Sequence, residues 1–201
     1  MNREAWLAAM TERLRPLLAQ AGAVVPDGVR LSVGFPSKGA LSMRRRTVGQ
    51  CWKAECSDDK CAQVFVSPLI GDGTEAAAIL VHELIHAAHP NAGHKGAFKR
   101  SALAVGLDGK MTETNAGSGL TNRLNALISE VGEYPHSKLS PLALRTKKQG
   151  TRLLKASCDG CGYTVRVTAK WLEIGAPICP TCGVAMDAGA ENEPPEEHDD
   201  V

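Results

Sequence analysis

His82 and His86 stand four residues apart, with Glu83 between them, in the stretch His82-Glu83-Leu84-Ile85-His86. On a helix, a four-residue step places two imidazoles about 40° apart on one face and one turn apart in height. Imidazoles so placed can share one zinc ion at about 2.0–2.1 Å. In an H-E-x-x-H pattern the glutamate is not a ligand; it serves as general base toward water on the metal. A catalytic zinc also needs a third protein ligand and one open position. His89 and His94 compete for that role. His89 lies seven residues beyond His82, about 10.5 Å along a helix axis, too far for one ion to serve both. It reads instead as a histidine in the last helical turn, where it suits the helix dipole. His94 follows Pro90-Asn91-Ala92-Gly93, a turn that lets the chain reverse, and is the expected third ligand.

Cysteines supply a second candidate metal site. Cys158-Asp159-Gly160-Cys161 and Cys179-Pro180-Thr181-Cys182 form two C-x2-C pairs. Four thiolates at this spacing make a closed tetrahedral zinc site of the structural kind. Gly160, Gly162 and Gly183 supply the flexible backbone of the two knuckles, and residues 163–167 alternate like a strand. The pattern predicts a zinc ribbon, a unit with so little core that the ion largely folds it. Cys51, Cys56 and Cys61 follow at five-residue steps. With Asp58, Asp59 or a histidine they could hold a further ion. No fourth ligand stands out, and free thiols in a loop are the preferred reading.

The stretch HELIHAAHPNAGHKGAFKR resembles the active-site region of the SprT-like zinc metalloproteases, which include Spartan-type DNA–protein crosslink proteases. The shared pattern is His82, Glu83 and His86, then Gly93-His94, then Phe98 on the next helix. Bacterial and phage members often end in a zinc ribbon. The likeness in layout runs over about residues 31–182, and it is specific at 79–107 and at the ribbon cysteines. The cysteines at 51–61 are not part of the family pattern. The resemblance implies a zincin-like fold in which the histidine-bearing helix packs under a small sheet. It also implies an edge strand that takes an extended peptide by strand addition. Residues 64–66 are the candidate for that strand.

These residues need elements to position them. Trp6, Met10, Leu14, Leu17, Leu18 and Ala21 recur at helical steps and predict a helix over 3–21, kinked or split at Pro16. Alternation predicts strands at 29–33, 44–50 and 64–66. A helix over 75–89, capped by Asp72 or Thr74 and stopped by Pro90, would carry the motif. Helices over 95–107 and around Leu120, Leu124, Leu127, Ile128 and Val131 complete an α+β domain, a small sheet packed on helices. The predicted organisation is a metalloprotease domain at 1–140, a basic linker and four-cysteine zinc ribbon at 141–187, and an acidic disordered tail at 188–201. Tyr134 and His136 could fold back toward the site as oxyanion donors, although a plain loop role suits their polar surroundings better.

Composition limits the partners. The chain has 201 residues and a net charge of +1, with 23 Lys+Arg against 22 Asp+Glu. Six of those acids lie in the last 14 residues, so the body alone carries +7. Arg145, Lys147, Lys148, Arg152, Lys155, Arg166 and Lys170 crowd around the ribbon, with Asp159 the one acid among them. That field suits DNA phosphates, and equally a solvated basic face. Apolar runs such as 76–81 fall far short of the ~20 residues of a membrane span. The charged N-terminus lacks the apolar core of a secretory signal, which predicts a cytoplasmic chain. With 3 Trp, 2 Tyr and 3 Phe there are too few aromatics for a base-stacking RNA-binding sheet.

Three functions compete. The first is a zinc metalloendopeptidase with one catalytic and one structural Zn2+, acting on DNA-associated or DNA-crosslinked proteins, with Glu83 as base. The second is a repressor-cleaving regulatory peptidase. The third is a non-enzymatic, zinc-stabilised nucleic-acid-binding or transcription-related protein, for which the carboxylate of Glu83 would have no use.

Overall fold

The computed structural model describes residues 1–42, 45–141 and 153–188. The chain divides into two compact units, Met1–Ala143 and Leu144–Val201. Both are mixtures of helices and small sheets, an α+β arrangement. The acidic tail beyond residue 188 lies outside the described residues, as do Arg145, Lys147, Lys148 and Arg152 of the basic linker. No helix among the described residues is long and apolar enough to cross a membrane.

The first unit is built around two helices. Helix α1 (Arg3–Gln20) is capped by Asn2, whose side chain accepts from the Ala5 N–H at 2.8 Å. It buries Trp6, Leu7, Met10, Leu14 and Leu18, the apolar stripe expected from their spacing. The helix runs through Pro16 without the predicted split. Pro16 is on the exposed face, where solvent can satisfy the Glu12 carbonyl that lacks a helical donor. Helix α2 (Gly73–Ala88) begins at Asp72, whose Oδ1 accepts from the Glu75 N–H at 2.8 Å. It ends at His89, just before Pro90. Helix α2 buries Leu80, Val81, Leu84 and Ile85 against the rest of the core, and helices α3 (Gly96–Val105) and α4 (Ser118–Val131) pack beside it.

The sheet of this unit has three strands: β1 (Arg30–Val33), β2 (Gly49–Trp52) and β3 (Gln63–Val66), with a short 3-10 turn at Ala54–Cys56 between the last two. Their order is β1-β3-β2, with β3 parallel to β1 and antiparallel to β2. Residues 64–66 are therefore in the central strand, with both edges paired, and cannot be the strand that accepts a peptide. The edge beside α2 is β2. The second predicted strand, 44–50, also shifts: pairing begins at Gly49 and continues to Trp52. Arg45 and Arg46 lie in irregular chain ahead of it, and Arg44 is outside the described residues.

A two-stranded hairpin, β4 (Leu107–Lys110) and β5 (Glu113–Ala116), joins α3 to α4 and was not expected from the sequence. Helix α3 stops at Gly106, which holds φ +105° and allows the turn into β4. The segment after α4 returns to α1. Arg3 donates to the carbonyls of Pro135 (2.9 Å) and His136 (3.1 Å), and its guanidinium lies 4.7 Å above the Tyr134 ring. Tyr134 is buried edge-on against Trp6.

The second unit holds a hairpin of β6 (Leu153–Ser157) and β7 (Thr164–Thr168), followed by a short helix α5 (Ala169–Ile174). Its buried core is Ala156, Cys158, Cys179 and Met186. So small a core fits a unit whose fold depends on what the cysteines hold.

Candidate active site

Helix α2 carries His82, Glu83 and His86, while His94 arrives from the turn that follows. Pro90 ends the helix, and Gly93 and Gly96 hold φ +54° and +51° on either side of His94. Both lie in the left-handed region that side-chain-bearing residues rarely adopt. The reversal brings His94 back over the motif. The His86 and His94 Nε2 atoms are 3.1 Å apart. One ligand nitrogen from each of His82, His86 and His94 falls within 4.8 Å of the others, so the three could hold one metal ion. His89 stays apart, its Nε2 bonded to the buried Ser101 hydroxyl at 3.0 Å.

Phe98 is the floor of this cluster. It is fully buried on α3, stacked on His86 at 4.2 Å between ring centres. It also meets His82 and His94 at 4.9 and 5.1 Å. Thr114, on the hairpin, holds the His82 ring: its Oγ1 lies 2.8 Å from His82 Nδ1. If that nitrogen donates to Oγ1, Nε2 is left with a lone pair for a cation. Sequence reasoning missed Thr114, because nothing in residues 107–116 announces a hairpin.

Burial shapes the charges. It lowers the pKa of His82 to about 4, with His94 adding a smaller repulsion. It lowers His86 to about 3, helped by His82 and His94, and it lowers His94 as well. Neutral imidazoles are the form that binds metal. Burial pushes Glu83 the other way, up to about 8. Glu83 is 6% exposed and lies against β2: a Cβ placed on Gly49 would stand 2.5 Å from its Oε1 and 2.7 Å from Ile79. Only glycine lets the strand approach the carboxylate this closely. Cys51, two residues on, is half-buried on the same strand, and burial together with Glu83 pushes its thiol up to about 12.

The histidines and Glu83 open into a cleft of about 860 Å³. One wall is the chain from Arg45 through β2, and the other is the hairpin around Lys110 and Glu113. An ion held by these three imidazoles would lie in the lining of the cleft. Tyr134 and His136 do not line it, so neither is placed to act as an oxyanion donor.

In the second unit the four sulfurs of Cys158, Cys161, Cys179 and Cys182 also lie within 4.8 Å of one another and could hold a metal ion. The two knuckles are alike. Gly162 and Gly183 donate to the Cys158 and Cys179 carbonyls at 2.8 and 2.9 Å, with φ +74° and +69°. The Cys158 and Cys179 N–H groups donate in turn to the carbonyls of Tyr163 and Val184. The hydrogen bond with Cys161 is the largest influence raising Cys182 to about 12, whereas Cys179, against its desolvation, is lowered to about 7 by the N–H groups of Cys182 and Thr181. Cys51, Cys56 and Cys61 do not join either cluster: Cys51 is on β2, Cys56 is exposed in the 3-10 turn, and Cys61 is half-buried. No family model, curated protein or solved structure matches the chain.

Proposed function

We propose that the protein is a zinc-dependent metalloendopeptidase of SprT-like, zincin type. The observation that carries this reading is the convergence of three neutral imidazoles beside a buried carboxylate at the foot of an open cleft. A structural site closes its coordination sphere with four protein ligands, whereas three histidines beside a cleft would leave one position for water or substrate. Three imidazole nitrogens suit zinc, a borderline metal that accepts nitrogen in tetrahedral geometry. The four thiolates of the ribbon suit a second, structural zinc.

When bound, zinc supplies Lewis acidity, acidifying water and polarising the carbonyl to be attacked. The rest falls to the chain. His82, held by Thr114, and His86, backed by Phe98, keep their rings oriented. Glu83 takes a proton from the attacking water and returns it to the departing amine. Its burial raises the proton affinity of the carboxylate, as a base requires. Strand β2 runs past Glu83 as a free edge, and its backbone can pair with an extended peptide. The basic residues around the ribbon support substrates that are DNA-associated or crosslinked to DNA, through phosphate contacts.

The test is proteolysis. Wild type and Glu83→Gln are incubated with a DNA-binding protein, with and without single- and double-stranded DNA. Wild type should yield fragments, with more when DNA is present; Glu83→Gln should keep its zinc and yield none. Cleavage retained by Glu83→Gln would sink the mechanism. Salt-sensitive DNA binding with no cleavage by either protein would favour the non-enzymatic reading.

A further inference from the structure

The cleft is not electrically neutral at its rim. Arg45, Arg46 and Lys110 line it and are exposed, and none of them forms an ion pair among the described residues. The described carboxylates lining the cleft are Glu83, at its foot, and Glu113. Glu113 is directly opposite Lys110 in the hairpin. The arginine pair on the other wall has no such neighbour lining its side.

The position of the pair follows from the strand. Gly49 is the point at which β2 touches Glu83, so a peptide laid along β2 would present the bond to be cut there. Arg46 and Arg45 precede Gly49 by three and four residues. At about 3.3 Å per extended residue they stand up to roughly 10–13 Å along the chain. Val48 continues the strand direction, its carbonyl accepting from the Ser67 N–H at 2.8 Å. Both arginines line the cleft, on one side of the point where β2 meets Glu83. A guanidinium fork matches a carboxylate in two hydrogen bonds, and a cleft lined by one sign of charge concentrates ligands of the other.

We propose that this cleft selects peptide segments with an acidic side chain two to four residues from the cleaved bond, held by Arg45 and Arg46 with Lys110 on the facing wall. The proposal rests on the proteolytic reading and names its substrate class. A phosphate backbone would meet the same cations, but the strand edge and the carboxylate of Glu83 beside it suit a peptide.

The test uses the full, zinc-loaded chain and two short fluorescent peptides that differ only in Glu against Gln. Binding to Glu83→Gln is followed by fluorescence anisotropy, and cutting by wild type is followed by chromatography. The acidic peptide should bind about tenfold more tightly, with the preference weakening as salt rises. Arg45→Ala with Arg46→Ala should bring the Glu-to-Gln ratio within about twofold of one, while Arg45→Lys with Arg46→Lys should keep part of it. The unfolding midpoint of each variant checks that it folds, and Lys110→Ala offers an independent second probe of the ratio. Equal affinity for the two peptides overturns the proposal. So does an oligonucleotide that displaces both peptides equally while Glu and Gln are not distinguished. If wild type cuts both peptides at the same rate, the acidic preference fails and the protease stands. If it cuts neither while the acidic peptide still binds better, the preference stands and the protease fails.

Discussion

The contact between His82 Nδ1 and Thr114 Oγ1, 2.8 Å across 32 residues of sequence, makes a demanding prediction. A metal on His82 Nε2 requires the proton to be on Nδ1, donated to the threonine oxygen. Thr114→Val keeps the branched shape and removes the acceptor. Without metal, the altered protein can move the proton to Nε2 and avoid an orphaned donor. With metal it cannot, and a half-buried N–H is left unpaired. Such a donor costs about 1–3 kcal/mol. The penalty falls on the loaded state alone, so it should appear as a loss of affinity of about 10- to 100-fold, the range typical of partners behind metal ligands. The assay is competition for zinc against a chromophoric chelator, resolving the tighter and weaker sites. Thr114→Val should weaken the histidine site by that amount and leave the ribbon site unchanged. Thr114→Ser, which restores the hydroxyl, should bind within about threefold of wild type. Wild-type affinity in Thr114→Val would refute the reasoning, and so would an equal loss in Thr114→Ser.

Other consequences can be checked alongside. Gly49→Ala should force Glu83 and Ile79 out of place, costing about 1–3 kcal/mol of stability and at least about tenfold in peptide cleavage, while zinc content is kept. In the metal-free protein, His82 and His86 have folded-state pKa values below the ordinary imidazole value, so their stabilisation is present above about pH 6.5 and lost as pH falls through about 4 for His82 and about 3 for His86. Glu83 has the opposite sign: its folded-state pKa is raised to about 8, so its contribution is present below about pH 4.5 and lost as pH rises through 8. Urea unfolding of metal-free protein should show both declines, and Glu83→Gln should abolish the one on the high-pH side, on the order of 5 kcal/mol, and keep the acid one. Cys182→Ser should release the ribbon zinc and make the Cys158 and Cys161 thiols reactive to alkylation, with the histidine site still loaded; protection of those thiols would count against a shared site.

Much of the candidate site is legible in the sequence because its geometry is local. A four-residue step on a helix puts His82 and His86 together whatever the surroundings, and Gly93 marks the reversal that returns His94. The two knuckles are local in the same way, each needing only a C-x2-C-G run. The parts that escape detection depend on contacts distant in sequence. Strand order is one: residues 64–66 read as a strand, but nothing in them says that β1 and β2 flank both sides. Residues 44–50 mislead because their ladder is set by the fit of Gly49 against Glu83, not by alternation. The hairpin at 107–116 has only Leu107 fully buried, with Met111, Thr114 and Ala116 partly so, and its apolar residues do not alternate, so it offers no period-two signal. Thr114 was hidden along with it.

The central claim is that His82, His86 and His94 together hold one ion with an open side, apart from the ion in the ribbon. Metal content after exhaustive dialysis, read by mass spectrometry on wild type and His94→Ala, tests it directly. The account predicts about two zinc ions per chain in wild type and about one in His94→Ala, with the ribbon cysteines still protected from alkylation. A wild-type chain that holds only the ribbon ion, or a His94→Ala chain that keeps both, would contradict it.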